Sequence, residues 1–333
     1  MRVAVLDDWQ GVARQSANWS ALEAQAEVVF FAAPFADEDD AASRLAGFEA
    51  LILMRERTAF PASLIDRLTD LRMIALTGNR SPSLDIEACT RRGIVVSNTG
   101  GTASTNGTAE LTLGLMLAAA RRIPAGDAAI RAGRFQDGVG IGPVLAGKTL
   151  GIIGLGRIGS WVARYARALD MRVMAWSRSL SAEAAGAAQA ELAESKAALL
   201  AASDVVTLHV PLSPGSRGMI GAAEIGLMKP GALLVNTSRS GLVDQAAMLA
   251  ALDAGRVCAA LDVYDREPLP VDDPIRTASN TVLTPHVGYG TVDTFAQFFR
   301  ESIENVLAFM AGAPVRVMNA EAIGGGSKPG PTR

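Results

Sequence analysis

Two successive series of short apolar runs alternate with helical stretches along this chain, and that alternation decides the class of fold before any single residue is considered. The first series is "RVAVL" (2–6), "VVFF" (28–31), "ALIL" (50–53), "MIAL" (73–76) and "GIVVS" (93–97). The second is "KTLGIIG" (148–154), "RVMAW" (172–176), "VVTLHV" (205–210), "ALLVN" (232–236), "CAALDV" (258–263) and "TVLTP" (281–285). Strand and helix taking turns in this way describe a parallel sheet with helices on both faces. A length of 333 residues exceeds what one core comfortably serves, so the expectation is two lobes with a cleft.

Between the series, around 98–106, the pattern breaks into "NTGGTASTNGT", read as a connection and hinge; a second hinge is expected at 287–294. A helix from about Thr108 to Arg122 is apolar on nearly every face, which predicts burial and a spare face in a homodimer interface. A last helix, from Thr294 to about Gly312, is expected to cross back onto the first lobe and make it discontinuous. The expected domains are therefore 1–99 with 290–320, 100–289, and a flexible tail at 321–333 ending "GGGSKPGPTR". The acidic run in "FADEDDAASRLAGF" is read as helix capping, not as a metal site, and 182–202 as one Ala-rich helix without chemistry.

Composition narrows the partners. With 31 basic and 34 acidic residues the net charge is −3, which leaves no electrostatic footprint for nucleic acid or an anionic membrane. Cys89 and Cys258 are too few for a disulfide framework or a thiolate metal site, so a reducing cytoplasm is expected, with no metal. The apolar stretch 111–120 is too short to span a bilayer, and "RVAVLDD" at the start reads as a strand, not as an export signal. A small molecule is the expected partner.

"GLGRIG" (154–159) matches GxGxxG in the context that gives the pattern meaning. It follows the strand "TLGII" and opens a helix in which Ile158, Val162, Tyr165 and Leu169 recur at helical spacing. Gly154 permits the turn, Gly156 lets backbone approach a pyrophosphate, and Gly159 lets helix and strand pack closely; Arg157 and Ile158 lie at the helix N-terminus, where phosphates are favoured. About twenty residues on, an NAD site usually carries a carboxylate for the ribose hydroxyls. Here Ser177, Arg178 and Ser179 stand instead, which points to NADPH or dual use; the alternative is that Arg178 stacks on adenine or faces solvent.

Three polar residues follow strands of the second series: Arg239 after "LLVNTS", Glu267 after "ALDVYDR" and His286 after "VLTP". His286 is one of two histidines in the chain. With this trio, and with "GKTLGIIGLGRIG", "DVVTLHVPLSPGSRGMIG", "LMKPGALLVNTSRSGLVD", "ALDVYDREPLP" and "NTVLTPHVGY" in order, the chain resembles the D-isomer-specific 2-hydroxyacid dehydrogenase family over almost its whole length. The resemblance implies a Rossmann nucleotide-binding domain inserted in a flavodoxin-like substrate domain. It also implies reduction of a small 2-oxo acid to a D-2-hydroxy acid by NADP(H) or NAD(H).

In that chemistry imidazole serves as acid in reduction and base in oxidation, a carboxylate fixes its tautomer, and a guanidinium holds the substrate carboxylate. The family assigns these roles to His286, Glu267 and Arg239. It places His209 as a wall beside the cofactor without proton transfer, Asp262 near the nicotinamide carboxamide with a strand-end cap as the alternative, and Val210, Pro211, Thr237, Ser238 and Gly288 along the cofactor. In the first domain it maps Gly78 and Asn79 of "LTGNR" to backbone donors for the substrate carboxylate, and Arg55 of "MRERT" to a further substrate contact. Taken singly, Arg239 and Glu267 could be a structural ion pair and His286 a satisfied loop histidine. Glu267 argues against formate dehydrogenases, which resemble a pattern with Gln there. A nicotinamide-sensing, co-repressor-like binding protein of the same fold stays open, because it would keep the same trio.

Overall fold

In the computed structural model, residues 1–100 and 102–323 are described, the side chains of 102–104 excepted. Among them the chain forms two parallel sheets in two compact units: Met1–Ala103 with the chain from Val292 onward, and Ser104–Thr291. Each expected apolar run overlaps a strand. The first sheet is built from β1 (Arg2–Val5), β2 (Glu27–Phe30), β3 (Ala50–Leu53), β4 (Met73–Leu76) and β5 (Val95–Asn98), in the order β2-β1-β3-β4-β5. The second holds β6 (Thr149–Ile153), β7 (Arg172–Trp176), β8 (Glu191–Leu192), β9 (Val205–Leu208), β10 (Ala232–Asn236), β11 (Val257–Leu261) and β12 (Thr281–Leu283), in the order β12-β11-β10-β9-β6-β7-β8. These are the flavodoxin-like and Rossmann orders.

The runs are apolar at consecutive positions because both sheet faces are covered. Along the second sheet, Ile153, Val206, Leu208, Leu234 and Leu261 enter one core, while Leu150, Ile152, Val205, Leu233 and Val235 enter the core on the other face. In the first unit, Phe295, Phe298, Phe299, Ile303 and Val306 of the helix Val292–Met310 are buried at three- and four-residue spacing. Each of the larger side chains contributes about 1.5–3 kcal/mol by leaving water. This stripe is why the chain's last long helix completes the first unit.

Local signals and tertiary context disagree in three places. The connection expected at 98–106 is already helical from Thr102, since the helix there is Thr102–Ala120; Gly107 and Thr108 within it are buried, and packing overrides their weak helix propensity. The Ala-rich segment 182–202 is not one helix. Ser181 caps Ala182–Ala187, Gln189 at φ +52 turns the chain, β8 adds an edge strand, and Ser195 caps Lys196–Ala202. Of the expected tail, Glu321 and Ala322 lie in a short 3-10 turn, and 324–333 lie outside the described residues. The acidic run behaves as expected: Asp37 accepts a hydrogen bond from the Asp40 N–H and caps Glu38–Leu45.

Candidate active site

At the amino ends of the second sheet's strands a cavity of about 510 Å³ is lined by Ala118, Leu145, Lys148, Lys229, Cys258 and Val282, among others. The candidate site residues gather at the opposite, carboxyl ends.

The glycine loop follows β6. At Gly154 (φ +100) a Cβ would lie 2.6 Å from the His209 carbonyl oxygen, and at Gly159 2.3 Å from the Gly154 carbonyl oxygen, so neither position admits a side chain. At Gly156 a Cβ would meet nothing within 4 Å. This difference is the mark of a phosphate cradle: two glycines close the protein on itself, and the middle one opens a space at the N-terminus of the helix Arg157–Ala168. The first-turn amides, including those of Arg157 and Ile158, have no acceptor within the helix, so the residues present fit a dinucleotide pyrophosphate. Beyond β7, Ser177 is half-buried and Arg178 exposed, its guanidinium against Gly215, where a Cβ would lie 2.8 Å from Nη1.

The neighbouring strand ends carry the rest of the expected wall. The His209 ring bonds Thr207 Oγ1 through Nε2 (3.0 Å), and burial pushes its imidazole down to about 4, so it is neutral at physiological pH. Ser238 donates from Oγ to the Val210 carbonyl (2.8 Å), and Thr237 Oγ1 shares a 2.8 Å hydrogen bond with Thr112 Oγ1. Pro211 follows, exposed.

Arg239 sits in a turn built by Asn236, the last residue of β10. Asn236 Nδ2 donates to the Arg239 carbonyl (2.8 Å), and its Oδ1 accepts from the Ser238 N–H (3.0 Å). Glu267 is reached from β11 through a loop in which its Oε1 accepts the Tyr264 N–H at 2.9 Å. His286 follows β12 with φ +52, a left-handed conformation uncommon for a non-glycine residue. Its Nδ1 lies 2.5 Å from Glu267 Oε2.

That contact organises the electrostatics. Burial raises the Glu267 carboxyl, but the hydrogen bond and charge of His286, the Tyr264 amide and the Arg239 charge outweigh it, and the carboxyl is held below its usual range. An ionised Glu267 accepts the Nδ1 proton, which leaves Nε2 as the nitrogen for a reacting group. The imidazole edge meets the Tyr289 ring, centroids 5.8 Å apart.

Asp262 does the capping that was its alternative reading, on the loop that carries His286. Its Oδ1 accepts from Thr284 Oγ1 (2.6 Å) and the Val287 N–H (2.9 Å), and its Oδ2 accepts from the Gly288 N–H (2.8 Å). Burial raises its carboxyl against these donors. Asp262 thus ties down both sides of His286. Asn236 and Tyr264 escaped the sequence reading; a strand-end Asn two residues before a turn was the available signal for the first, and nothing marked the second.

In the first unit the expected substrate residues follow β3 and β4. Arg55 has φ +52, and its N–H donates to Thr77 Oγ1 (3.0 Å). Gly78 departs from expectation. Its N–H donates to Thr99 Oγ1 at 2.7 Å, so it is not on offer to a substrate; the glycine is favoured by its φ of +82, which strains any side chain, and its bare Cα lets the Arg55 guanidinium approach. Asn79 is exposed.

Comparison with known proteins bears on this arrangement. Residues 113–288 match the family described as D-isomer specific 2-hydroxyacid dehydrogenase, NAD binding domain. The chain is 40% identical over 270 residues to a D-3-phosphoglycerate dehydrogenase of Archaeoglobus fulgidus, a match covering 81% of this chain and 51% of that one. It is 40% identical over 269 residues to a glyoxylate reductase of Aeropyrum pernix, covering 78% of this chain and 80% of that one. Among solved structures, a phosphoglycerate oxidoreductase of Vibrio cholerae superposes with a TM-score of 0.89 at 36% identity, covering 94% of this chain and 100% of the other. The chain thus spans about half the length of the phosphoglycerate dehydrogenase it matches.

Proposed function

Because this chain belongs to the D-isomer-specific 2-hydroxyacid dehydrogenase family, we propose that it is an NAD(P)-dependent reductase of small 2-oxo acids, giving D-2-hydroxy acids, with His286 as acid and base. The 2.5 Å contact of His286 Nδ1 with Glu267 Oε2, beside the Arg239 charge, carries this reading. A dinucleotide held by Gly154 to Gly159 supplies the hydride when bound. His286 gives its Nε2 proton to the carbonyl oxygen as charge builds there, and takes it back in oxidation. Glu267 keeps the proton on Nδ1 and stabilises the imidazolium, and Arg239 offers a planar fork to the substrate carboxylate and polarises the carbonyl. Arg55 and Asn79 are assigned further contacts to the substrate.

NADPH is the preferred donor in this reading, because Ser177, Arg178 and Ser179 replace the carboxylate that would repel a 2′-phosphate. A homodimer is proposed as well. Ile130, Phe135, Ile141 and Val144 are 58%, 72%, 98% and 69% exposed on the segment that follows the helix Thr102–Ala120, a density of apolar surface that a second copy would cover.

The test is the initial rate of NADPH and NADH oxidation, in parallel, against glyoxylate, hydroxypyruvate, pyruvate, phenylpyruvate and 2-oxoglutarate. Turnover with one or more acids supports the enzyme, and the better donor decides the role of Ser177 and Arg178. Silence with every acid, while NAD(P)H binds, overturns it in favour of a nicotinamide sensor.

A further inference from the structure

The loops that follow β1 and β3 are joined by side chains to which the proposed chemistry gives no part. Asp7, 1% exposed and at φ +59, directly follows the β1 run. Its carboxylate Oδ1 accepts from Thr58 Oγ1 at 3.0 Å, and its backbone carbonyl accepts from Arg57 Nη1 at 2.5 Å. Arg57 Nη1 also donates to Gln10 Oε1 (2.9 Å), and its guanidinium lies 4.5 Å from the centre of the Trp9 ring. Residues 54–58 form a tight turn, closed by the Arg57 N–H to the Met54 carbonyl (3.2 Å). Arg55 lies inside that turn.

Two neighbours therefore fix the turn. β4 holds its start, through Thr77 Oγ1 and the bare Cα of Gly78 under the Arg55 guanidinium. The β1 loop holds its end, through Asp7. A left-handed non-glycine residue persists only where surrounding contacts over-determine it, and here two such residues, Asp7 and Arg55, sit at adjacent strand ends of one sheet. In an open sheet of this order the crevice between β1 and β3 is also the topological switch point, where ligand-directed residues are displayed. Burying a carboxylate there is costly for folding, so a task in positioning explains it better than a task in stability.

We propose that Asp7 is a positioning residue: through Thr58 and Arg57 it holds the turn 54–58 so that Arg55 presents its guanidinium to the substrate. This rests on the reading that Arg55 contacts the 2-oxo acid. Asp7 touches neither substrate nor cofactor, so its loss loosens substrate binding and leaves the hydride and proton steps in place.

The experiment is steady-state kinetics on the full chain for wild type, Asp7→Ala, Asp7→Asn, Arg55→Ala and the Asp7→Ala, Arg55→Ala double variant, using the best acid found above. NAD(P)H affinity by fluorescence and Tm serve as folding controls. Asp7→Ala is expected to raise KM about tenfold with kcat within about threefold of wild type. Asp7→Asn keeps an oxygen for Thr58 and is expected to recover most of the loss. In the Arg55→Ala background, Asp7→Ala is expected to add nothing, because the two act as one unit. Equal effects of Asp7→Ala in both backgrounds, or an unchanged KM with a lowered Tm, would overturn the proposal and leave Asp7 a structural tie. An Arg55→Ala variant with wild-type KM would sink the substrate role of Arg55 first, and the positioning role with it. If Asp7→Ala does not fold, Thr58→Val carries the same prediction for KM and for the cycle.

Discussion

The two units share an architecture and differ in the side chains they set beyond the carboxyl ends of their strands. Beyond β10, β11 and β12 the second unit sets Arg239, Glu267 and His286 in one coupled group, with an ionised carboxylate two and a half ångströms from an imidazole. Beyond β1 and β3 the first unit sets Asp7, Arg55, Arg57 and Thr58, where the acid is buried and its partners are a guanidinium and a hydroxyl that donate to it. Both edges hold non-glycine residues at positive φ: His286 in one, Asp7 and Arg55 in the other. Equivalent positions at the ends of parallel strands are thus proposed to serve proton transfer in one sheet and orientation in the other, and the difference lies in which side chains are paired there.

Deleting a side chain from each edge should separate them most widely. His286→Ala is expected to lower kcat by about 10² to 10⁴ with cofactor affinity nearly unchanged. Arg55→Ala should act mainly on KM. Matching kcat losses in both variants, measured with saturating cofactor, would erase the distinction between the edges.

The glycine loop gives a smaller contrast inside the second unit. Gly159→Ala drives a Cβ to within 2.3 Å of backbone and should destabilise the protein by about 1–3 kcal/mol in denaturant unfolding. Gly156→Ala meets open space, so Tm should hold while NAD(P)H affinity falls. If Gly156→Ala binds NAD(P)H as wild type does, the cradle is misassigned.

The smallest expected effect is on pH-dependent stability, and its sign is opposite in the two units. Burial raises the Asp7 carboxyl from 3.8 to about 6, against the pull of Thr58, Arg57 and Trp9. The folded state therefore binds the extra proton, and this contribution to stability is full below about 4 and lost as pH rises through 6. Burial lowers the His209 imidazole from 6.5 to about 4, so its contribution is present above 6.5 and lost as pH falls through 4. Asp7→Asn should raise stability at pH 7 relative to pH 4, by at most about 3 kcal/mol and nearer 1 with relaxation around the charge. His209→Asn should flatten the acid side. Urea unfolding at pH 4, 5, 6 and 7 reads both, and parallel slopes in the two variants would refute the assignment.

Much of this was legible in the sequence because it is written in local terms. Strands covered on both faces must be apolar at consecutive positions, so the runs announced themselves, and "GLGRIG" between strand and helix announced a phosphate turn. Arg239, Glu267 and His286 were each visible as polar residues just beyond apolar runs. The tertiary structure alone decided the rest. Helix propensity read 182–202 as one element, but the edge of the sheet draws Glu191–Leu192 beside β7, a pairing between residues far apart in sequence. Asp262 shows its two oxygens on the loop of His286 only once β11 and β12 lie side by side. Gly78 loses its amide to Thr99 across twenty-one residues of chain, and Asp7 meets Thr58 across fifty-one. Sequence determines which segments pair and which chemistry they carry; the registers between them decide which donors are already taken, and that sets which groups remain for a substrate.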